Sequence, residues 1–450
     1  MRRALLAVTM IASVHVANGQ LPGVQVPNLP RVELPTTVDR TLGRVENTVA
    51  DVAGRVDRLA DLRRLRVNEL LRTQRASLER DPAGQPILRA EIVSFDPTPE
   101  AMDRARSEGF EIARERALEG LDVRVVVLRA PEGMTTRRAL RRLRNIDPQG
   151  SYDYNHVYLE SGDASWRAEG VRLAAADSVS NPGGGAGAPS PYRVGLVDGG
   201  VDADHPVFRH AVVHQHGCDG RTVPSAHGTA VASLIVGKSE PFNGAVPGGE
   251  LFAADVYCGL GTGGAADAIV EAIAWIASQR VPVINVSLVG PKNVLLENVV
   301  KLVVARGHVI VAAVGNDGPS APPLYPASYP DVVGVTGVDA RRRVLLEACR
   351  GRQVDFAAPG ADMAAASLSL SFSAVRGTSF AAPIVAGLLA AALREPDRAA
   401  AMKAVEHLSM QAVDLGSRGI DKVYGAGLVG DGLRTPATVA LVGSGAPVAK

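Results

Sequence analysis

Three residues in separate segments have the types needed to break an amide or ester bond through a covalent intermediate. Asp198 ends a short apolar run and precedes two glycines, His227 opens a small, apolar stretch, and Ser379 lies in a Gly-Thr-Ser turn before another such stretch. A serine hydroxyl is a weak nucleophile that needs a base to take its proton and a carboxylate to orient that base. The three residues together predict nucleophilic catalysis by Ser379.

The turn around Ser379 favours the same chemistry. Pro383 lacks the N–H that would bond the carbonyl of Ser379 four residues earlier, so the helix start is shaped around that serine. The free N–H groups and the positive dipole end of such a helix would stabilise negative charge beside the hydroxyl. A serine N-cap, a turn-forming aspartate and a capping histidine are each ordinary features, but all three in one chain favour catalysis.

The segments that carry these residues resemble those of the subtilase family over about 193–429. The motifs Asp-Gly-Gly at Asp198, His-Gly-Thr at His227 and Gly-Thr-Ser-Phe-Ala-Ala-Pro at Ser379 follow the subtilisin chain order. The resemblance implies a serine endopeptidase in which Asp198 orients His227, the general base, and Ser379 forms an acyl-enzyme. Asn316 matches the asparagine whose amide donates to the oxyanion. A catalytically silent peptide-binding scaffold of the same fold is the alternative.

The resemblance also implies a peptide-binding cleft with two backbone edges. Main-chain hydrogen bonds at such edges bind any extended peptide, while pockets for alternate side chains give selectivity. Val289 stands where the family usually has glycine, and we expect its β-branched side chain to narrow the first specificity pocket. The residues matched to the two edges are Ser287, Leu288, Val289 and Gly290 on one side and Gly261, Thr262 and Gly263 on the other.

The second edge also fits a dinucleotide-binding fingerprint. Gly259, Gly261 and Gly264 have the required spacing, and they lie between a strand-like and a helix-like segment. The next strand-like segment, 281–288, ends without the acidic residue that would bind a ribose. We therefore expect no nucleotide, and the hydrolytic chemistry requires no cofactor.

Residues 1–19 have the pattern of a signal peptide. Two arginines follow Met1, the stretch 4–12 is almost wholly apolar, and small residues stand at 17 and 19. The apolar stretch is too short to span a bilayer, which needs about 20 residues. The pattern predicts export to the periplasm or the extracellular medium without a membrane anchor; a buried N-terminal helix is the alternative.

The region between the signal peptide and the catalytic segments shows two patterns. Apolar residues within 42–59 form a heptad-like stripe that favours a helix. Residues 91–158 have the strand and helix order βαββαβ, which is ferredoxin-like and resembles subtilase pro-domains. The resemblance implies that this domain is an intramolecular inhibitor, released by self-cleavage within 158–190. The expected divisions are a Pro-rich and helical segment (20–88), a pro-domain (89–159), a linker (160–191), a catalytic domain (192–432) and a tail (433–450).

Composition agrees with this organisation. The chain has 450 residues, of which 46% are hydrophobic, so it can bury two or more cores. Apolar strands alternate with small-residue helices, which predicts an α/β fold with a doubly wound, mostly parallel sheet. The formal net charge of +1 predicts no affinity for nucleic acid or for membranes. The expected partners are peptide or protein substrates and the chain's own pro-domain.

Three cysteines and a group of histidines remain. On the proposed fold, Cys218 and Cys258 would meet near the cleft and form a disulfide, leaving Cys349 as a packed residue or free thiol. Four histidines between 205 and 216 allow a metal site, but their alternation fits solvent-facing strand positions equally well. No metal is predicted there. Structural calcium occurs in the family, yet no Asp-rich loop here matches a ligand pattern.

Overall fold

The computed structural model describes residues 63–161, 191–240, 242–368 and 371–438. The predicted signal peptide and the heptad-like stripe lie outside these ranges, as do residues 162–190 of the linker and 439–450 of the tail. Among the helices of the described ranges, none combines the length and apolarity required to cross a bilayer.

An antiparallel sheet with two covering helices forms the N-terminal part. Its strands pair in the order β5-β2-β4-β3, with β1 added beside β2, which confirms the predicted ferredoxin-like βαββαβ order. The sheet begins at Leu78, earlier than the position 89 expected for this domain. The elements are α1 (63–73), β1 (Leu78–Arg80), β2 (Pro86–Phe95), α2 (Pro99–Ser107), β3 (Glu111–Leu118), β4 (Val123–Arg129), α3 (Thr136–Ile146) and β5 (Ser151–Glu160).

Both faces of this sheet are buried. Along β4, Val126 and Leu128 join a core with α2 and α3, whereas Val125 and Val127 join the core of the C-terminal part. Successive side chains of a strand point to opposite faces, so one strand serves two cores. This explains why the run reads as continuously apolar in the sequence.

Seven parallel strands form the central sheet of the C-terminal part, in the order β14-β13-β12-β10-β6-β8-β7. This confirms the predicted α/β class with a parallel sheet. The strands of this part are β6 (Arg193–Asp198), β7 (Val212–Gly217), β8 (Glu250–Asp255), β9 (Gly264–Ala265), β10 (Val283–Val286), β11 (Leu288–Val289), β12 (Val309–Ala313), β13 (Val333–Val338), β14 (Phe356–Pro359), β15 (Met363–Ser367) and β16 (Ser371–Val375).

Helices cover both faces of the central sheet, as in a doubly wound fold. One face packs against α4, α7 and α8, and the other packs against α5 and α6, which also contact the N-terminal sheet. Because β6 lies in the middle of the sheet and ends at Asp198, that carboxylate lies at the edge where α/β folds bind ligands. The helices are α4 (Ala226–Val236), α5 (Ala266–Ser278), α6 (Val294–Ala305), α7 (Ala382–Ala392) and α8 (Arg398–Gln411).

Polar side chains of the N-terminal sheet bind the N-terminal ends of α5 and α6. The Asp153 carboxylate accepts the Val294 backbone N–H at 2.8 Å, and Asn155 donates to the Asp267 carboxylate at 2.8 Å. Arg114 donates to the same Asp267 carboxylate at 3.0 Å. A carboxylate at a helix N-terminus satisfies otherwise unpaired N–H groups, so these contacts hold the two parts together with defined register.

Cys218 and Cys258 form a disulfide across 40 residues, which confirms the predicted pairing. The bridge joins the segments that follow β7 and β8. Cys349 is a buried free thiol, which agrees with the expectation of a packed residue or a free thiol.

We expect the double variant Cys218→Ser/Cys258→Ser to lose about 2–4 kcal/mol in the free energy of unfolding, because the bridge restricts a loop of this length in the unfolded chain. Urea unfolding of the Ser379→Ala protein, which avoids self-digestion, measures the loss. Thiol titration of the unfolded, unreduced parent should find one thiol, and a count of three would contradict the pairing.

Candidate active site

Asp198 and His227 form a buried hydrogen-bonded pair at the end of β6. The His227 ring nitrogen Nδ1 lies 2.9 and 3.0 Å from the two Asp198 carboxylate oxygens, and both side chains are almost fully buried. Ser225 caps α4 by accepting the Gly228 N–H at 2.9 Å. A Cβ atom on Gly228 would lie 2.2 Å from the Gly199 carbonyl oxygen, so only glycine lets the helix start approach the end of β6 this closely.

The Asp198 carboxylate controls the protonation of His227. Burial alone would lower the pKa of His227, but neighbouring carboxylates, Asp198 foremost, together outweigh burial and the net pKa is raised above its ordinary value. The carboxylate also accepts the Gly199 N–H at 2.7 Å, which fixes its orientation. The pair can therefore stabilise an imidazolium during proton transfer.

A third ionisable group lies beside this pair. A carboxylate oxygen of Glu160, one of Asp198 and a ring nitrogen of His227 are all within 4.8 Å of one another. Burial and the Asp198 carboxylate raise the pKa of Glu160, against the opposing effect of His227. The Glu160 charge in turn contributes to the raised pKa of His227. No motif in the sequence marks Glu160, because its approach to His227 depends on the path of β5.

Ser379 lies in a short 3-10 turn, Thr378–Phe380, just before α7, and is fully buried. Its hydroxyl donates to the Ser161 carbonyl and also lies 3.1 Å from the Ser287 carbonyl oxygen. The His227 nitrogen Nε2 is buried and has no hydrogen-bond partner among the described residues. The structure thus brings Ser379 and His227 into one site but does not form the hydrogen bond between them.

Two N–H donors converge on Ser161. The Ser379 backbone N–H donates to the Ser161 carbonyl at 3.1 Å. The Asn316 amide donates to the Ser161 hydroxyl at 3.2 Å, and its own oxygen accepts the Thr378 N–H at 3.1 Å, which aims the amide nitrogen toward Ser161. The Ser379 N–H therefore binds the Ser161 carbonyl, whereas Asn316, the predicted oxyanion donor, binds the Ser161 side chain.

The end of β5 fills the cleft along the first predicted edge. Leu288 pairs with Glu160 and Val289 with Leu159 in an antiparallel ladder. The ladder continues to Ser161, whose N–H donates to the Ser287 carbonyl at 3.4 Å. Thus β11 binds an extended segment of the chain itself by main-chain hydrogen bonds. The expected narrowing of a pocket by Val289 stays a prediction.

The facing edge binds the same segment from the other side. Val157 pairs with Ala265 and Tyr158 with Gly264, so β5 lies between β9 and β11. The cleft edge thus pairs through Gly264 and Ala265, which directly follow the residues predicted for it. A Cβ atom on Gly263 would lie 2.6 Å from Val157, so that glycine packs closely on the bound segment. The residues predicted for this edge were Gly261, Thr262 and Gly263.

Helix α1 lies against both sides of the cleft. Arg63 forms an ion pair at 3.1 Å with Asp317, the residue after Asn316, and the two side chains are only 16% and 14% exposed. At the far end, the Gln74 side chain lies close enough to Gly261 that a Cβ atom there would be 2.8 Å from its amide nitrogen. Val67 is buried between these contacts. No local sequence signal connects α1 with residues about 200 positions away.

The four histidines between 205 and 216 do not meet. His205 caps a short turn by accepting the Val207 N–H at 3.1 Å, while His214 and His216 bind Glu250 and Glu271, each at 2.8 Å. Within the described ranges they form no group that could hold a metal ion.

A model of the subtilase family matches residues 191–427, which is more than half of the chain. The chain belongs to the subtilase family. It is therefore a serine-type endopeptidase by class, and its parallel sheet with covering helices is the subtilisin-like fold.

Several subtilases can be aligned with the chain. Subtilisin DY of Bacillus licheniformis is 32% identical over 269 residues, covering 58% of this chain and 95% of that protein. Subtilisin E of Bacillus subtilis (strain 168) is 27% identical over 356 residues, 75% of this chain and 88% of that protein. Minor extracellular protease Epr of the same organism is 29% identical, but the alignment covers 46% of this chain and only 32% of that relative.

A solved structure shares the fold. Fervidolysin from Fervidobacterium pennivorans, a keratinolytic enzyme related to subtilisin, superimposes with a TM-score of 0.61 at 20% sequence identity. The match covers 81% of this chain and 62% of that chain.

We expect Asp317→Asn to loosen α1, because the substitution leaves the Arg63 guanidinium largely buried without its counter-charge. Limited trypsin digestion of the Ser379→Ala protein should cut at Arg63, Arg64 or Arg66 at least about fivefold faster, which corresponds to about 1 kcal/mol.

Glu69→Gln is the matched control, because it removes an exposed pair with Arg72 on the same helix. Equal digestion rates for the parent and Asp317→Asn would contradict the anchoring role of the buried pair.

Proposed function

We propose that the protein is an exported serine endopeptidase, made as a zymogen, that uses Asp198, His227, Ser379 and Asn316 as its catalytic residues. One observation carries the proposal. The Ser161 carbonyl accepts hydrogen bonds from the Ser379 N–H and hydroxyl while the preceding residues pair with both cleft edges. A peptide substrate would be bound in this way just before attack on its carbonyl.

The reaction follows from these positions. The Ser379 oxygen attacks the carbonyl carbon of the bound peptide, and its proton passes to the His227 nitrogen Nε2, which has no other partner in the part of the chain that the structure describes. The Ser379 N–H and the Asn316 amide stabilise the oxyanion, and Asp198 stabilises the imidazolium. Collapse of the tetrahedral intermediate breaks the C–N bond, and the leaving amine takes the proton from His227. Water then attacks the acyl-enzyme as His227 takes its proton, and the bond to the Ser379 oxygen breaks as that oxygen recovers the proton.

The N-terminal domain would be the enzyme's own first substrate and its inhibitor. The bond after Ser161 is the one whose carbonyl is bound by Ser379, so we assign self-cleavage to Ser161–Gly162, within the predicted range 158–190. For attack to occur, the Ser379 hydroxyl must turn from the Ser161 oxygen toward His227. Until the cleaved segment leaves, the cleft is blocked to other peptides.

A silent peptide-binding scaffold is the weaker alternative. Such a scaffold would need the two pairing edges but not the buried Asp198–His227 pair, because removing the Asp198 carboxylate and the imidazole from water is costly. A peptidase needs both features.

Three features support export. The first is the signal-peptide pattern at the start of the sequence. The second is the disulfide, because such bridges persist mainly outside the cytosol. A relative is named an extracellular protease.

The chemistry requires no cofactor, and calcium would have only a structural role.

We expect purified, self-processed protein to begin at Gly162, because Ser161 supplies the carbonyl at Ser379. The Ser379→Ala protein should remain uncut at this bond and should fail to hydrolyse denatured protein or to react with a serine-directed phosphonate. N-terminal sequencing and intact mass measure the cut. Its rate should not change on dilution, since the bond lies within one molecule. Identical N-termini for the parent and Ser379→Ala would rule out self-cleavage.

We expect Glu160→Gln to move the pH dependence of self-cleavage to lower pH. His227 acts as a base only when neutral, and the Glu160 carboxylate contributes to its raised pKa. Removing that charge lowers the pKa of His227, so more of the base is neutral at a given acidic pH. The fraction cut after a fixed time, measured across pH 5–9, gives the midpoint.

The control for this experiment is Glu115→Gln, which removes the same charge from an exposed pair with Arg124. It should leave the midpoint unchanged. A midpoint for Glu160→Gln that is unchanged or higher would show that this carboxylate does not govern His227.

A further inference from the structure

Helix α1 spans the cleft in which the end of β5 is bound. Its first residue, Arg63, binds Asp317 on one side, and Gln74, just after its last residue, lies against Gly261 on the other. The edges β9 and β11 flank β5 and are therefore about 10 Å apart. A helix over 63–73 rises about 16 Å, so α1 is long enough to reach from one edge to the other.

One face of α1 carries these contacts. Arg63, Val67, Leu70 and Gln74 are partly or fully buried, whereas most of the residues between them are exposed. Positions that recur every three or four residues lie on the same face of a helix. This face has an ionic contact at one end, apolar residues in the middle and an amide at the other end.

Arg66 brings a positive charge close to the proposed catalytic residues. Burial raises the pKa of Glu160, and the Arg66 charge is one of the effects that oppose this rise. Burial and the Arg66 charge also oppose the rise in the pKa of His227 that the neighbouring carboxylates cause. An effect on both groups requires the guanidinium to lie near them, so α1 passes close to the cleft-bound end of β5.

The N-terminal sheet holds α1 from the opposite side. Arg80 of β1 donates to the Asn68 side-chain oxygen at 2.6 Å, and Arg89 of β2 donates to the Arg75 carbonyl, just after α1, at 2.8 Å. All strands of that sheet begin after α1, so the helix is an addition to the ferredoxin-like fold. It connects the sheet to the side of the cleft at Asp317 and encloses the bound segment.

We propose that α1 is a strap that retains the cleaved segment in the cleft, so that activity toward other substrates appears only after α1 has left Asp317. The inference rests on the proposed function, because it takes Ser161–Gly162 as the bond that is cut. The cut leaves every contact of α1 intact, since none of them involves that bond. The strap regulates when activity begins and does not change the reaction.

Substitutions within α1 test the strap cleanly, because a cut after Ser161 gives the same mature enzyme whatever residues precede it. Arg63→Gln removes the ion pair with Asp317. Arg72→Gln is the matched control, since Arg72 is 72% exposed and pairs with Glu69 on the same helix. Gln74→Ala tests the opposite end of the strap without changing any charge.

Two times are measured in the full chain, the time of the cut by intact mass and the onset of hydrolysis of a denatured protein. The delay between them is extrapolated to infinite dilution, where one molecule does not digest the fragment of another. We expect Arg63→Gln to shorten the delay at least about fivefold, the effect of losing one partly buried ion pair, with an unchanged rate of cutting. Gln74→Ala should shorten the delay as well, and Arg72→Gln should not.

Equal delays for the parent, Arg63→Gln and Gln74→Ala would overturn the strap. A slower cut in both variants would also overturn it, because α1 would then position the bond and not retain the product. These results differ from a failure of the proposed function. If the parent neither cuts itself nor reacts with a serine-directed phosphonate, the proposed function fails and the inference falls with it.

Discussion

The hydrogen bond from the Ser379 N–H to the Ser161 carbonyl is the contact on which the arrangement depends. It requires the 3-10 turn at the start of α7, and it requires β5 to run past its own sheet into the cleft. The edges β9 and β11 hold that extension on both sides. Because the N-terminal sheet also binds the ends of α5 and α6, the position of Ser161 is set by the whole interface and not by the tail alone.

The proposed catalytic residues could be singled out in the sequence because their positions depend on local structure. Asp198 ends a central strand, and His227 begins a helix whose Gly228 allows close approach to Gly199. Short motifs encode such positions. The disulfide was also predictable, since both cysteines follow neighbouring parallel strands. The missing hydrogen bond between His227 and Ser379 was not, because it reflects competition by a carbonyl from another part of the chain.

Contacts between distant segments set the features that the sequence did not predict. The ion pair of Arg63 with Asp317 joins residues with no shared motif, and either residue alone reads as an ordinary surface charge. The pairing of Gly264 and Ala265, just beyond the predicted edge, follows a turn in which Gly259 and Gly263 have positive φ angles. A glycine-rich segment permits several such turns, so its composition cannot fix which residues pair.

Helix α1, the N-terminal sheet and the cleft-bound end of β5 belong to one continuous stretch of chain. Each binds a different surface of the C-terminal part, so the stretch is a multivalent ligand whose elements hold one another at high effective concentration. Breaking the bond after Ser161 frees none of them by itself. A competing peptide would therefore meet a cleft that reopens only briefly, whereas a second cut between α1 and the sheet would divide one tight ligand into weaker pieces that dissociate independently.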